Sequence, residues 1–170
     1  TSEDAVLCVR CIMKTQTAIS AIKTAVHDIS DEYSVQECLS FLNTAIHTVS
    51  GLLIAARMPF MVHEIKLHDG ENVPIGYVAS AGIYPIRITG QKVSFHDKSL
   101  PEIRFRYFRS MTPLPDAQGD MPFPYDALND YVLKIAILYA LNHNEYDITQ
   151  DKALSDELRQ VLVEAVTVHG

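Results

Sequence analysis

The histidines and carboxylates that crowd most closely in this chain are His63-Glu64 and His68-Asp69, residue types that can hold a divalent metal or pass a proton. The step of five from His63 to His68 sends the two rings to opposite faces of a strand, and HEIKLH lacks the i, i+4 helical spacing of a zinc protease. These residues read as polar flanks of a solvated hairpin, so no metal and no other cofactor is expected. Cys8-Val-Arg-Cys11 has the spacing of a redox or zinc motif, yet no second pair or histidine cluster completes four ligands. With Cys38 the cysteines number three, an odd count that suits a reducing compartment, and the pair reads as two small side chains packed on one helix face. No G-x-S-x-G elbow is present, and the scattered glycines form neither a P-loop nor a dinucleotide fingerprint. No catalytic residue is therefore assigned and the chain does not read as an enzyme. Were it one, the place to look would be a cleft near His63, Glu64 and Arg104.

The one basic concentration is Arg104, Arg106 and Arg109, with Arg87 and Lys92 nearby in sequence. It sits in a chain with 14 basic and 21 acidic residues and a net charge of -7. Phosphate affinity is built from Lys and Arg that displace counterions, so this balance excludes a protein that wraps nucleic acid tightly. The arginines could face an acidic protein partner or the phosphates of passing DNA, or form the solvated side of an amphipathic sheet.

The elements that must position these residues follow from periodicity. Val6, Val9, Ile12, Met13, Ile19, Ile22, Val26 and Ile29 predict a helix over about Glu3 to Ile29. Ser34-Val35-Gln36-Glu37 is a capping box, so a second helix starts at Val35 and ends before Pro59. Its apolar positions, Phe41, Leu52 and Leu53 among them, cover more than one narrow stripe, as expected of a helix buried on two sides or meeting another subunit. From Phe60 the period becomes 2: a strand to Leu67, a turn at Asp69-Gly70-Glu71-Asn72 and a return strand over Val73 to Ala81 predict a hairpin. Tyr84 to Thr89 and Gln91 to His96 form two more strands around Gly90, and Glu102 to Phe108 a fifth, with Ile103, Phe105 and Tyr107 on one face and Arg104 and Arg106 on the other. Pro113, Pro115, Pro122 and Pro124 deny regular structure to an extended crossover anchored by Met111, Leu114, Met121 and Phe123. Helices over about Tyr125 to Asn142 and Asp151 to Val166 follow, the second after a capping box at Asp147-Ile148-Thr149-Gln150.

The expected fold is α+β: an N-terminal helical pair (1–58), an inserted antiparallel β subdomain (59–109) between helices 2 and 3, a Pro-rich crossover (110–124) and a C-terminal helical pair (125–170) that completes a small four-helix bundle. The longest apolar run, Val49 to Ala56, falls far short of the roughly 20 residues of a membrane helix, and no signal peptide is read, so no membrane partner is expected. A start at Thr1-Ser2 is what removal of an initiator methionine leaves, which points to a cytosolic start.

Three stretches resemble the head-tail connector proteins of tailed bacteriophages, the adaptor and head-completion family. Ser34 to Ala45 is similar to the family's capped early helix, Arg104-Phe105-Arg106-Tyr107-Phe108 before prolines to the strand leaving the β insertion, and Met121 to Leu128 with Tyr131 and Ala136 to Leu141 to the Pro-led third helix. The resemblance implies a structural virion protein, made in the host cytoplasm and placed in the neck. It implies a dodecameric homo-oligomeric ring that joins the portal protein to tail or nozzle proteins and continues the channel, with transient, non-specific proximity to DNA. Phe41, Leu52 and Leu53 would then include oligomer or portal contacts, while Arg104, Arg106 and Arg109 would face an acidic partner or DNA. The alternative reading is a non-catalytic regulator that binds a protein or ligand and dimerises through its helices. After the last predicted helix only Thr167 to Gly170 remain, shorter than the tail with which many such proteins dock on a portal.

Overall fold

A computed structural model describes residues 12–27, 33–142 and 151–169, with side chains to 164 in the last stretch. Cys8, Cys11 and the Asp147–Gln150 capping box lie outside these residues. The described residues form helices α1 (Thr15–Val26), α2 (Val35–Ala55), α3 (Asp126–Leu141) and α4 (Lys152–His169), and strands β1 (Val62–Leu67), β2 (Tyr77–Ser80), β3 (Ile86–Thr89), β4 (Lys92–Phe95) and β5 (Ile103–Arg109). All five strands fall between α2 and α3, which makes the fold α+β with an antiparallel β insertion. The chain divides into a helical unit, Thr1–Ala45 with Leu114–Gly170, and a β unit, Ile46–Pro113, that opens on the C-terminal part of α2.

In the helical unit, α1 packs against α3 through a stripe of Ala18, Ile19, Ile22 and Val26, all buried. Of the helix expected over Glu3 to Ile29, residues 3–11, 28 and 29 lie outside the described residues, and among those described the helix starts at Thr15. Ile12 and Met13 lie outside the helix, and Lys14 is extended and forms a β-bridge with Asp120. The Met121 N–H donates to the Met13 carbonyl at 2.8 Å and the Thr15 N–H to the Gly119 carbonyl at 3.1 Å, so the backbone here is satisfied by the crossover, not by a helical turn.

α2 starts where its capping box places it. The Glu37 carboxylate accepts the Ser34 N–H at 2.8 Å, and the Ser34 hydroxyl accepts the Glu37 N–H at 3.2 Å. Hydrogen bonding to Ser34, to its backbone N–H first and to its hydroxyl second, holds the Glu37 carboxyl below the usual glutamate range. A carboxyl whose pKa is lowered on folding stabilises the fold above its unfolded pKa and ceases to do so as pH falls through its folded pKa. The urea midpoint of the native chain should therefore drop more between about pH 6 and about pH 3 than that of Glu37→Gln. Equal drops would show that the ionised carboxylate adds nothing at this cap.

At its other end α2 stops in a Schellman motif. Arg57 adopts the left-handed region (φ 56°), its N–H bonds the Ile54 carbonyl at 2.9 Å, and the Met58 N–H bonds the Leu53 carbonyl at 3.1 Å. Pro59 follows and forbids a further turn. α2 is the one described helix long and apolar enough to cross a membrane, but half of the relevant window is buried inside the protein, as for a core helix.

The crossover is held by two side-chain amides. Asn43 Oδ1 accepts the Leu114 N–H at 2.7 Å and its Nδ2 donates to the Leu114 carbonyl at 3.0 Å. Asn129, fully buried on α3, does the same for Phe123, at 3.1 Å and 3.0 Å. Each clamped residue lies between two prolines, so its N–H is the sole donor of a Pro-x-Pro triplet that no regular structure could satisfy. Met121 and Phe123 are buried beneath, while Met111 and Leu114 are half-buried. Asp151 caps α4 by accepting the Leu154 N–H at 3.1 Å. The Tyr131 hydroxyl on α3 donates to the Leu154 carbonyl at 3.1 Å, and burial, with Glu157 and Asp151 nearby, pushes that phenol up to about 12.

The β unit departs from the expected hairpin. β5 is the centre of a three-stranded antiparallel sheet, β1-β5-β2, and β3 pairs with β4 in a separate two-stranded ribbon around Gly90, whose φ is +62°. β2 thus pairs with β5 and not with β1. The turn after β1 is drawn to β4 instead: the Asp69 carboxylate accepts the Phe95 N–H at 2.7 Å and the Val73 N–H bonds the Gln91 carbonyl at 2.7 Å. Pro74 then opens a turn closed by the Tyr77 N–H, and only after it does the chain become a strand again. Leu67, Val93, Phe95, Phe105 and Tyr107 form the core of this unit, drawn from β1, β4 and β5.

Candidate functional site

Register decides which of the predicted residues share a surface. On one face of the β1–β5 pair, Lys66 lies opposite Arg104, Glu64 opposite Arg106 and Val62 opposite Phe108. Arg104 and Arg106 are exposed there, as predicted. Arg109 is not with them: an odd step along a strand reverses the face, and Arg109 is paired with Tyr77 on the other side. Its stem lies against Gly76, where an added Cβ would stand 3.0 Å from Arg109 Cγ, and Gly76 has φ +80°. Arg109 is therefore a packing residue at the start of β2, half-buried, and leaves the basic group.

Arg57 takes the vacated role, a residue that periodicity could not mark. Its guanidinium carbon is 5.1 Å from the centroid of the buried Phe108 ring, a cation–π contact, and Nη2 donates to the Ala81 carbonyl at 3.4 Å. Phe108 shares its face with Arg104 and Arg106, so the basic surface comprises Arg57, Lys66, Arg104 and Arg106. Two carboxylates temper it. Glu64 faces Arg106, and Glu102 lies 3.7 Å from Lys66, offsetting the like-charge pair that Lys66 makes with Arg104. Arg87 and Lys92 are exposed on the separate β3–β4 ribbon.

His63 and His68 stand apart. His63 is exposed, its ring 6.1 Å from that of Tyr107, whereas His68 Nδ1 is 2.9 Å from Glu71 and its Nε2 3.8 Å from Glu102. Among the described residues no three His, Cys, Asp or Glu side chains are grouped so as to hold a metal ion.

The predicted interface residues of α2 lie mostly inside. Phe41 and Leu53 are buried and Leu52 is half-buried, so Phe41 and Leu53 are corrected from contact residues to core residues. The surface that α2 turns outward is instead Ser40, Thr44, His47, Gly51 and Ala55, recurring at steps of three and four. No Asp, Glu, Lys or Arg occurs between Glu37 and Arg57. The helix thus shows an exposed stripe of small side chains and one histidine, with no formal charge.

No protein-family model matches the chain, and no curated protein is significantly similar to it.

Proposed function

We propose that this chain is a structural protein of a tailed-bacteriophage neck, a non-catalytic adaptor that forms a ring between portal and tail and continues the DNA channel. The order of elements, a β insertion between the second and third of four helices, is the one that the resemblance to connector proteins implies. The observation that carries the reading is the outward stripe of α2. A surface helix of a lone soluble domain ordinarily covers its outer side with charge, while small uncharged side chains let a neighbouring backbone come close. A head-to-tail ring buries two different surfaces of every subunit, and the stripe Ser40, Thr44, His47, Gly51 and Ala55 is the one we assign to it in place of Phe41 and Leu53. The basic face of β1 and β5 suits an acidic neighbour, and a net charge of -7 keeps the hold on DNA weak.

Electron microscopy of the chain mixed with portal particles tests this. The native chain should give a ring stacked coaxially on the portal, and Gly51→Leu should abolish the ring while remaining folded. A Cβ added at Gly51 would meet nothing within 4 Å, so Gly51→Ala should stabilise the isolated chain by about 0.5–1 kcal/mol in urea unfolding through helix propensity alone. A chain that binds no portal and forms only a small oligomer through its helices would overturn the adaptor reading in favour of a regulator.

A further inference from the structure

The two units of the chain carry opposite charge. The β unit, Ile46–Pro113, holds eight Lys or Arg against five Asp or Glu, a net of +3, and the helical unit holds six against 16, a net of -10. The overall -7 therefore conceals a segregated molecule. Between two copies, β unit repels β unit and helical unit repels helical unit, and only the β unit of one copy attracts the helical unit of the other. Such a contact joins two different surfaces, the head-to-tail geometry from which rings are built.

Each unit also keeps a like-charge pair of its own sign. In the β unit Lys66 and Arg104 lie directly opposite one another across β1 and β5, an arrangement that costs a sheet stability, and Arg106 and Arg57 continue the same exposed face. Glu64 and Glu102 offset part of this charge and leave the face positive. In the helical unit Asp126 and Asp130 stand four residues apart on the exposed side of α3, the spacing at which like charges destabilise a helix. Partial burial of the Asp130 carboxyl, and after it the Asp126 charge, holds that carboxyl above the usual aspartate range. No Lys or Arg occurs between Arg109 and Lys134, a stretch that holds Asp116, Asp120, Asp126 and Asp130. Asp120 is answered by Lys14, whereas Asp126 accepts the Met13 N–H at 3.0 Å and the Asn129 amide at 3.4 Å, donors without formal charge. Each like-charge pair weakens the unit that carries it and is relieved by the pair on the other unit.

We infer that the basic face of β1 and β5 docks on the acidic helical unit of a second copy, about Asp126 and Asp130, and that this contact sets the direction of head-to-tail assembly. The inference rests on the head-to-tail part of the reading above and not on the portal. It names the acidic neighbour of the basic face as the next copy of the same chain.

Sedimentation velocity of the full chain up to about 1 mM, in about 0.1 M and about 1 M NaCl, reads this contact, because the screening length falls from about 10 Å to about 3 Å between the two. The native chain should associate in the lower salt, and about tenfold or more less tightly in the higher. Arg104→Glu and Asp130→Lys should each weaken association about tenfold or more, since each sets like charge against like across the contact. An equal mixture of the two should recover it: the face with Arg104 intact meets the helix with Asp130 intact, and the introduced glutamate meets the introduced lysine. Thermal melts should show neither variant less stable than the native chain, because each removes a like-charge pair from its own unit. A native chain monomeric at the highest concentration, an association that 1 M salt leaves unchanged, or a mixture no better than its parts would each overturn the contact. Rings on portal particles that both single variants form as well as the native chain would sink this inference and leave the adaptor reading standing. Salt-dependent association of a chain that no portal captures would do the reverse.

Discussion

Replacing Asn129 by leucine should lower the unfolding free energy by about 2–6 kcal/mol, from a change that keeps the side chain's approximate size. The amide is fully buried and serves both backbone groups of Phe123, whose neighbours Pro122 and Pro124 leave no alternative donor in the triplet. Without it a buried N–H and a buried C=O lose their partners together, each costing about 1–3 kcal/mol. Asn43→Leu should cost less, because Asn43 and Leu114 are only half-buried and water can replace part of the clamp. Asn129→Asp separates the two halves of the contact. An ionised carboxylate still accepts the Phe123 N–H but cannot donate to its carbonyl, and burial raises its pKa. A carboxyl with a raised folded pKa weakens the fold as pH rises, so the deficit of Asn129→Asp should shrink on acidification. Urea unfolding at two pH values measures both effects. A deficit that is independent of pH would mean that the site is wet.

The clamps stand in the sequence as a question without an answer. Two Pro-x-Pro triplets announce backbone groups that need outside partners, and the apolar anchors Met121 and Phe123 are legible as buried. Which asparagines serve them is set by tertiary structure, 71 residues away in the case of Asn43. The same division between local and distant chemistry explains the other outcomes. The start of α2 is legible because Ser34 and Glu37 satisfy one another three residues apart. The start of α1 is not, because an apolar period running back through Met13 and Ile12 says nothing of Gly119 to Met121, which claim that backbone. The β1–β2 hairpin fails likewise, since the bond that turns the chain toward β4 joins Asp69 to Phe95 over 26 residues. Arg109 is different: strand parity alone separates it from Arg104 and Arg106, and grouping by proximity in sequence overlooks a signal that is there. The α2 stripe is half legible. The uncharged run is visible, but only burial shows which of its residues turn outward.

Parity along β5 also yields the sharpest contrast in expected stability. Phe105→Ala should cost about 3–5 kcal/mol, the range for deleting a fully buried aromatic ring. The ring meets Tyr84 edge-on at 5.0 Å between centroids and stacks with Tyr107 at 5.8 Å and Tyr77 at 6.0 Å, so its loss undoes several aromatic contacts together. It also belongs to the cluster that includes Leu67 of β1 and Val93 and Phe95 of β4. Phe105→Leu should cost distinctly less, because most of the volume remains. One residue to either side, Arg104→Ala and Arg106→Ala should change stability by no more than about 0.5 kcal/mol, since both are exposed. Urea midpoints of the four variants, with near-ultraviolet circular dichroism reporting the tyrosines, decide the matter. Equal costs at 104, 105 and 106 would mean that the outer face is packed as tightly as the inner. With the contrast in place, the two arginines become usable probes: a charge reversal at either position that abolishes binding to a partner reports on the surface, because the fold beneath it is held from the opposite face.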